Sequence, residues 1–282
     1  MNIKITADST CDLSPELVEK YGVGIFPLSV VKDGVPMRDG IDITPDDIFA
    51  YVAAGGKPCG TTAVNMADYG DRFAEYRKEY DAVIHFTISS DMSTCYQNAA
   101  MAAEQLSEVY VVDSRNLSTG IGQLVIDAAI MARDGTAPAD IKAALDEKKK
   151  RLDVSFVLDT LDYLRRGGRC SAVAAFGANL LSLRPCIEVR DGAMGVGKKY
   201  RGNLEKCILK YIDDRLMGSD NVEYERIFMT DSGLPAQVLD DIEAEIRKCG
   251  PFREVLRTRA GCTISNHCGP NCFGILYYRK KA

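Results

Sequence analysis

The chain has 282 residues, of which 46% are hydrophobic and 27% are charged, and its formal net charge at pH 7 is −5. This composition is typical of a globular protein with enough chain for two cores, and its acidic balance gives no support to a broad nucleic-acid-binding surface. No apolar run approaches the roughly 20 residues that span a bilayer. The first residues also lack the apolar core of a signal peptide. We therefore expect a cytoplasmic protein.

Strands and helices alternate through the first half of the chain, which predicts a mostly parallel α/β sheet. Hydroxyl-rich loops follow three of the predicted strands, and such loops at strand carboxyl ends line the ligand crevice of an open α/β sheet. These loops are Asp8-Ser9-Thr10, Ser89 to Thr94 and Asp113-Ser114, and Cys59 to Thr62 predicts a fourth. The predicted strands cover residues 3–7, 24–31, 81–88 and 108–113, and helices are expected to begin near residues 14, 44, 65, 95, 118 and 138.

The second half has a different pattern. Asp191-Gly192 lies between two extended runs, 185–190 and 194–200, and predicts a β-hairpin. Helices are predicted over 204–216 and 235–249, strands over 226–230, 253–258 and 272–278, and a loop around His267. We expect two lobes, an N-terminal α/β domain over residues 1–152 and a C-terminal α+β domain over residues 153–282, with the ligand site between them.

The stretch from Phe156 to Pro185 contains the first candidate for anion binding. A short strand precedes a helix that two glycines, Gly167-Gly168, should end. Arg169 follows, and a small-residue helix is predicted from Ser171 until Pro185 ends it. A cation beside accessible backbone N–H groups suits an anionic head group. The alternative is an ordinary helix–loop–helix with a solvated arginine.

Histidine and cysteine offer few catalytic or metal sites. Of the two histidines, His85 lies in an apolar run and is interpreted as a core residue, whereas His267 lies in a turn-rich segment that suits a functional role. A Cys268/His267 nucleophilic pair lacks an evident third group. Zinc ligation by Cys262, His267, Cys268 and Cys272 is disfavoured because the paired C-x2-C spacing is missing. The ten cysteines are expected to be reduced thiols, and no P-loop is present.

Several motifs together resemble the DegV family. The stretch from Asp159 to Ser171, DTLDYLRRGGRCS, is similar to the family's D-T-L-x-Y-L-x-x-G-G-R-I-S, and His267-Cys268-Gly269-Pro270 is similar to its closing H-x-G-P-G. Weaker similarities cover the rest of the chain, at Thr6 to Leu13, Thr61-Thr62, Ser89 to Ser93 and Val111 to Ser114. The chain departs from the family pattern at two dipeptides: Ala63-Val64 replace Gln-Pro, and Thr94-Cys95 replace Gly-Thr. The β-branched Thr94, in place of glycine, is expected to narrow the loop beside Ser93.

The resemblance implies two α/β lobes that hold a long-chain fatty acid in an apolar tunnel, with no further cofactor. Thr61 and Ser93 would then bond to its carboxylate, with Thr62 and Thr94 beside them. Arg169 and His267 would supply positive charge near the tunnel mouth or contact a partner. That partner would be an ATP-dependent fatty acid kinase subunit that makes the acyl phosphate, so the chain itself would carry no catalytic residue.

Two other functions remain open at this stage. The chain could be an enzyme that acts on acyl or phosphoryl groups through His267 with Cys268 or Ser93. It could also bind a different small anion, such as a nucleotide, at Arg169. The fatty-acid carrier is the interpretation that agrees with the whole set of motifs.

Overall fold

A computed structural model describes residues 1–171 and 183–281 of the chain. Its strands are β1 (Ile3–Asp8), β2 (Gly24–Phe26), β3 (Ser29–Lys32), β4 (Val35–Arg38), β5 (Gly60–Thr62), β6 (Ala82–Thr87), β7 (Val109–Asp113), β8 (Leu152–Val157), β9 (Leu183–Arg190), β10 (Ala193–Arg201), β11 (Val222–Asp231), β12 (Glu254–Arg259) and β13 (Phe273–Arg279). Its helices are α1 (Pro15–Tyr21), α2 (Pro45–Ala53), α3 (Met66–Tyr76), α4 (Cys95–Ala103), α5 (Thr119–Arg133), α6 (Pro138–Lys148), α7 (Asp162–Gly167), α8 (Leu204–Leu216), α9 (Ala236–Cys249) and α10 (Cys262–Cys268). The small-residue helix predicted after Ser171 falls on residues 172–182, outside the described ranges.

The N-terminal lobe contains the predicted parallel sheet. Its four strands are ordered β2-β1-β6-β7, and all neighbours are parallel. A smaller antiparallel sheet, β4-β3-β5, lies beside it. The prediction of a loop over Cys59 to Thr62 is wrong in part, because residues 60–62 form β5 and pair with β3. Backbone hydrogen bonding to β3 therefore fixes Thr61, opposite Val30.

The C-terminal lobe contains a mixed six-stranded sheet ordered β10-β9-β8-β13-β11-β12, in which only β11 and β12 are parallel neighbours within the described residues. The predicted hairpin at Asp191-Gly192 is confirmed, and both residues have positive φ. Pro185 does not stand at a helix end as predicted but lies inside β9. Together the two lobes confirm the predicted α/β class. The division at residue 152, where β8 begins, stays a prediction.

Helix α5 lies between the two large sheets and packs against β1 and β6 on one side and β8 and β13 on the other. Its first ten residues are buried. Gln123 Nε2 donates to the carbonyl oxygens of Arg226 (3.3 Å) and Leu276 (3.1 Å), and Arg226 Nη1 donates back to Gln123 Oε1 at 2.9 Å. Arg226 also pairs with Asp127 at 3.3 Å. These buried contacts fix the position of one lobe relative to the other, and hence the shape of the space between them.

Helix α10 replaces the loop that was predicted around His267. Asp39, a residue of the N-terminal lobe, accepts hydrogen bonds from the backbone N–H groups of Cys262 (2.8 Å) and Thr263 (3.0 Å). A side chain more than 200 positions away in the sequence thus satisfies the free donors at the start of this helix. The residues near the start of α10 do not predict such a cap, because the capping residue is distant in the sequence. None of the helices in the described residues is long and apolar enough to cross a bilayer.

Candidate ligand-binding site

A cavity lies between the lobes, with about 880 Å³ of space free of protein atoms, part of it open to solvent. Most of its surface is apolar. The aliphatic and aromatic side chains that line it come from both lobes: Leu28, Ile88, Met92, Leu117, Phe156, Leu164, Met194, Ile264 and Leu276.

His267 and Thr61 form the polar contact that joins the lobes at this cavity. His267 lies in the last turn of α10, and its Nε2 is 2.9 Å from Oγ1 of Thr61 on β5. Both side chains line the cavity. Because β5 is held by β3 and α10 is capped by Asp39, the two groups meet on rigid backbone rather than on loops.

The His267 imidazole is neutral at physiological pH. Burial, and secondarily the positive charge of Arg169, lowers its pKa to about 4. This low pKa disfavours the first of the two roles expected for His267, a positive charge, and the second, contact with a partner, stays a prediction. Nδ1 is buried without a hydrogen-bond partner in the part of the chain that the structure describes. An unpaired acceptor is easier to accommodate there than an unpaired N–H, which favours the tautomer with the proton on Nε2. In that tautomer Nε2 donates to Thr61, and the Thr61 hydroxyl proton remains available to a ligand.

Arg169 follows the left-handed residue that ends α7. Gly168 has φ +67° and its N–H donates to the carbonyl of Leu164, as expected for a helix end at two glycines. Arg169 Nη1 donates to the carbonyl of Gly167 at 2.7 Å, and its exposed side chain lines the cavity. It supplies a cation at the open part of the site.

Ser93 lies between β6 and α4. Its hydroxyl accepts a hydrogen bond from the backbone N–H of Cys95 at 3.3 Å and donates to Cys95 Sγ at 3.2 Å. Its side chain is half-buried and lines the cavity. Neither Ser93 nor Cys268 is the hydrogen-bond partner of His267, which bonds to Thr61. The two nucleophile–base pairs considered from the sequence, Ser93 with His267 and Cys268 with His267, are therefore not formed.

Five of the six predicted site residues line this one cavity, namely Thr61, Thr62, Ser93, Arg169 and His267. Thr62 is exposed at its edge. Thr94, also exposed, is not among the lining residues. The narrowing of the loop beside Ser93 by Thr94 stays a prediction. Whether these five contact a ligand stays a prediction. Ala63, one of the departures from the family pattern, also lines the cavity.

The four proposed zinc ligands, all in the described part of the chain, do not converge. Cys262 Sγ donates to the carbonyl of Ile43 at 3.0 Å, and His267 bonds to Thr61. Cys268 and Cys272 are buried and both line the cavity. His85 is a core residue as predicted: its Nδ1 is 2.9 Å from Thr6 Oγ1 and its Nε2 is 3.2 Å from Asp8 Oδ1.

Sequence reasoning missed a second group of polar lining residues: Ser118, Thr230, Asp231, Ser232 and Thr263. One signal could have found part of it. Asp231-Ser232 follows the predicted strand 226–230 in the same way as Asp113-Ser114 follows the strand 108–113. Polar loops after strands thus indicate site residues in the second half of the chain as well as in the first. Thr263 carried no such signal, because its place depends on the cap that Asp39 provides.

A family model described as "Uncharacterised protein, DegV family COG1307" matches residues 2–280. The chain belongs to the DegV family. The family resemblance seen in the sequence is thereby confirmed. Among relatives of this DegV chain, a DegV domain-containing protein of Caldanaerobacter subterraneus subsp. tengcongensis is 32% identical, with 99% of each chain covered.

Two solved structures of proteins with more than 25% sequence identity to this chain have the same DegV fold. A DegV family protein from Thermus thermophilus, described in terms of its fatty acid binding, has a TM-score of 0.89 and 30% identity over 99% of this chain and 100% of its own. A stearic acid-binding protein from Eubacterium ventriosum has a TM-score of 0.84 and 27% identity over 99% of this chain and 98% of its own. The relatives of this DegV chain thus include proteins that hold fatty acids.

Proposed function

We propose that the protein binds a long-chain fatty acid in the cavity between its lobes, with the carboxylate beside Thr61, Ser93, His267 and Arg169. One observation carries the proposal: a largely apolar cavity has hydroxyl donors and a cation at one place, in a chain of the DegV family. The fatty acid binding described for the relatives from Thermus thermophilus and Eubacterium ventriosum supports it.

The chemistry of the polar group suits a carboxylate better than a catalytic step. The neutral His267 orients the Thr61 hydroxyl, whose proton can be donated to a carboxylate oxygen. Hydrogen bonds to a charged acceptor are the stronger kind. Arg169 adds a cation that is exposed, and its attraction is therefore screened by salt. The acyl chain contributes most of the affinity, about 0.8 kcal/mol per buried CH₂.

We further infer that the protein presents its bound fatty acid to a partner, an ATP-dependent kinase subunit in the cytoplasm that forms the acyl phosphate. The resemblance to the fatty acid-binding subunits of bacterial fatty acid kinase supports this step, as does the lack of a P-loop in the sequence. In this proposal the chain holds no cofactor other than its lipid and carries no catalytic residue.

Native mass spectrometry of freshly purified protein, followed by solvent extraction, tests the carrier function. We expect one fatty acid per chain, and uptake of one palmitate by the delipidated protein. Bare protein that also fails to take up palmitate would contradict the proposal. The kinase step is tested separately with ATP and the loaded protein. Acyl phosphate should form only when a fatty acid kinase catalytic subunit is added, and its formation by this chain alone would contradict a carrier role.

A further inference from the structure

The second polar group of the cavity is held together by contacts across the two lobes. We call it the Thr263 cluster: Ser118, Thr230, Asp231, Ser232 and Thr263. Ser118 Oγ donates to one carboxylate oxygen of Asp12 at 2.6 Å, and the N–H of Gly261 donates to the other at 2.9 Å. The N–H of Ala260 donates to the carbonyl of Asp231 at 2.8 Å. The start of α10 is thereby brought next to the end of β11 and the start of α5.

Thr263 is 4% exposed, and its Oγ1 has no hydrogen-bond partner among residues 1–171 and 183–281. Its position is set by the backbone, since its N–H is bonded to Asp39. Buried polar groups in proteins are almost always hydrogen-bonded to protein, water or ligand. Thr263 lines the cavity and its hydroxyl has no partner among the described residues, so a polar group of a bound ligand is one group that would satisfy it.

The other members of the cluster are already bonded within the protein. Thr230 Oγ1 is 2.7 Å from Thr119 Oγ1 and 2.8 Å from Thr258 Oγ1. Asp231 Oδ1 accepts from two backbone N–H groups of the loop after β11. Among the described lining residues, Thr263 Oγ1 and His267 Nδ1 are the buried side-chain atoms without a partner. Among the members of the cluster, Thr263 is thus the one whose hydroxyl is free to bond to a ligand.

Thr263 lies one helical turn from His267 on α10. Residues four apart share a helix face and are separated by about 6 Å along the axis. With the carboxylate beside His267 and an acyl chain that runs along α10 towards its first residue, this spacing would place the Thr263 hydroxyl near the first few carbons of the chain. It is too close to the head group to meet the far end of a long chain.

We infer that the cavity recognises a hydroxylated fatty acid whose hydroxyl lies close to the carboxyl group and bonds to Thr263. The inference rests on the proposed fatty-acid binding and specifies its substrate class. A ligand hydroxyl both donates and accepts, so it can pair with Thr263 Oγ1 in either sense.

Affinities of the delipidated protein for three probes test the inference: palmitate, 3-hydroxypalmitate as each enantiomer, and 16-hydroxypalmitate. Wild type should bind one 3-hydroxypalmitate enantiomer about 3- to 10-fold more tightly than palmitate, the effect of one hydrogen bond. Thr263→Val keeps the side-chain shape and should remove this preference, so that the variant binds palmitate and both 3-hydroxypalmitates with equal affinity. Thr263→Ser keeps the hydroxyl and should retain the preference. Urea unfolding of each variant confirms that it folds.

Equal affinity of wild type for palmitate and both 3-hydroxypalmitates would overturn the inference. A preference that survives in Thr263→Val would overturn it too, and so would an equal preference for 16-hydroxypalmitate. In each of these outcomes palmitate still binds, and the carrier function stands. Failure of wild type to bind palmitate at all would instead overturn the proposed function on which the inference rests.

Discussion

Gly167 lies directly against the imidazole of His267, so that a methyl group on its Cα would overlap Nδ1 of the ring. The first glycine of the Gly167-Gly168-Arg169 stretch is thus needed for the close approach of α7 to α10. We expect Gly167→Ala to lower the free energy of unfolding by about 1–3 kcal/mol through overpacking. It should also weaken palmitate binding about 2- to 10-fold, because the shifted imidazole loses its hydrogen bond to Thr61.

Gly168→Ala is the matched control for this prediction. Gly168 has φ +67°, and no other atom lies within 4 Å of the place that a methyl group on its Cα would take, so alanine there meets backbone strain but no neighbour. The strain costs about 1–2 kcal/mol. Urea unfolding should show both variants destabilised, while calorimetric binding of palmitate should be weakened only in Gly167→Ala. Equal palmitate affinity in the two variants would show that the glycine does not act through His267.

Thr61→Val tests the head-group contact. Valine keeps the shape of threonine and its fit to the short strand β5 but cannot donate to a carboxylate. Because hydrogen bonds to charged groups contribute about 1.5–3 kcal/mol, palmitate affinity should fall about 10- to 150-fold. Thr94→Val, at an exposed position outside the cavity lining, should stay within about twofold of wild type. A similar loss in both variants, measured by fluorescence or calorimetric titration, would rule out a specific role for Thr61.

The elements of the fold were predictable where local signals decide them. Asp191-Gly192 marks the hairpin, and Thr44, with Asp47, forms the reciprocal cap that starts α2. The errors have a non-local origin. Residues 60–62 become a strand only because β3 offers a free edge, and the segment around His267 becomes a helix only because Asp39 caps it.

In the site, too, local sequence motifs predict some features and non-local contacts determine the others. Five of the six residues chosen from motifs line one cavity, because motif residues on neighbouring elements meet at the lobe interface. The low pKa of His267 was not predictable, since it depends on burial that the sequence does not display. Thr263 was missed for the same reason: its hydroxyl matters only because no other group in the described part of the chain bonds to it.

Arg169→Gln tests the electrostatic part of the head-group site. Because Arg169 is exposed, its attraction for a carboxylate is modest and screened, and palmitate affinity should fall about 2- to 5-fold at low salt and less at high salt. Binding of hexadecanol, which carries no charge, should not change. Arg166→Gln, at an exposed neighbour outside the cavity lining, should leave both ligands unaffected. An equal effect of Arg169→Gln on palmitate and hexadecanol would contradict a role for its charge.

His267 should make the protein less stable in mild acid. Its pKa is lowered to about 4 by burial and by Arg169, whereas an exposed histidine in the unfolded chain titrates near 6.5. Between these values the unfolded state binds a proton that the folded state does not, so the free energy of unfolding falls as the pH is lowered from about 6.5 to about 4, by at most about 3 kcal/mol. His267→Gln lacks the titrating group. Urea unfolding of both proteins from pH 7 to pH 4 should show that wild type loses stability relative to the variant. If the difference in free energy of unfolding between the two proteins does not change with pH, His267 titrates as an exposed residue does.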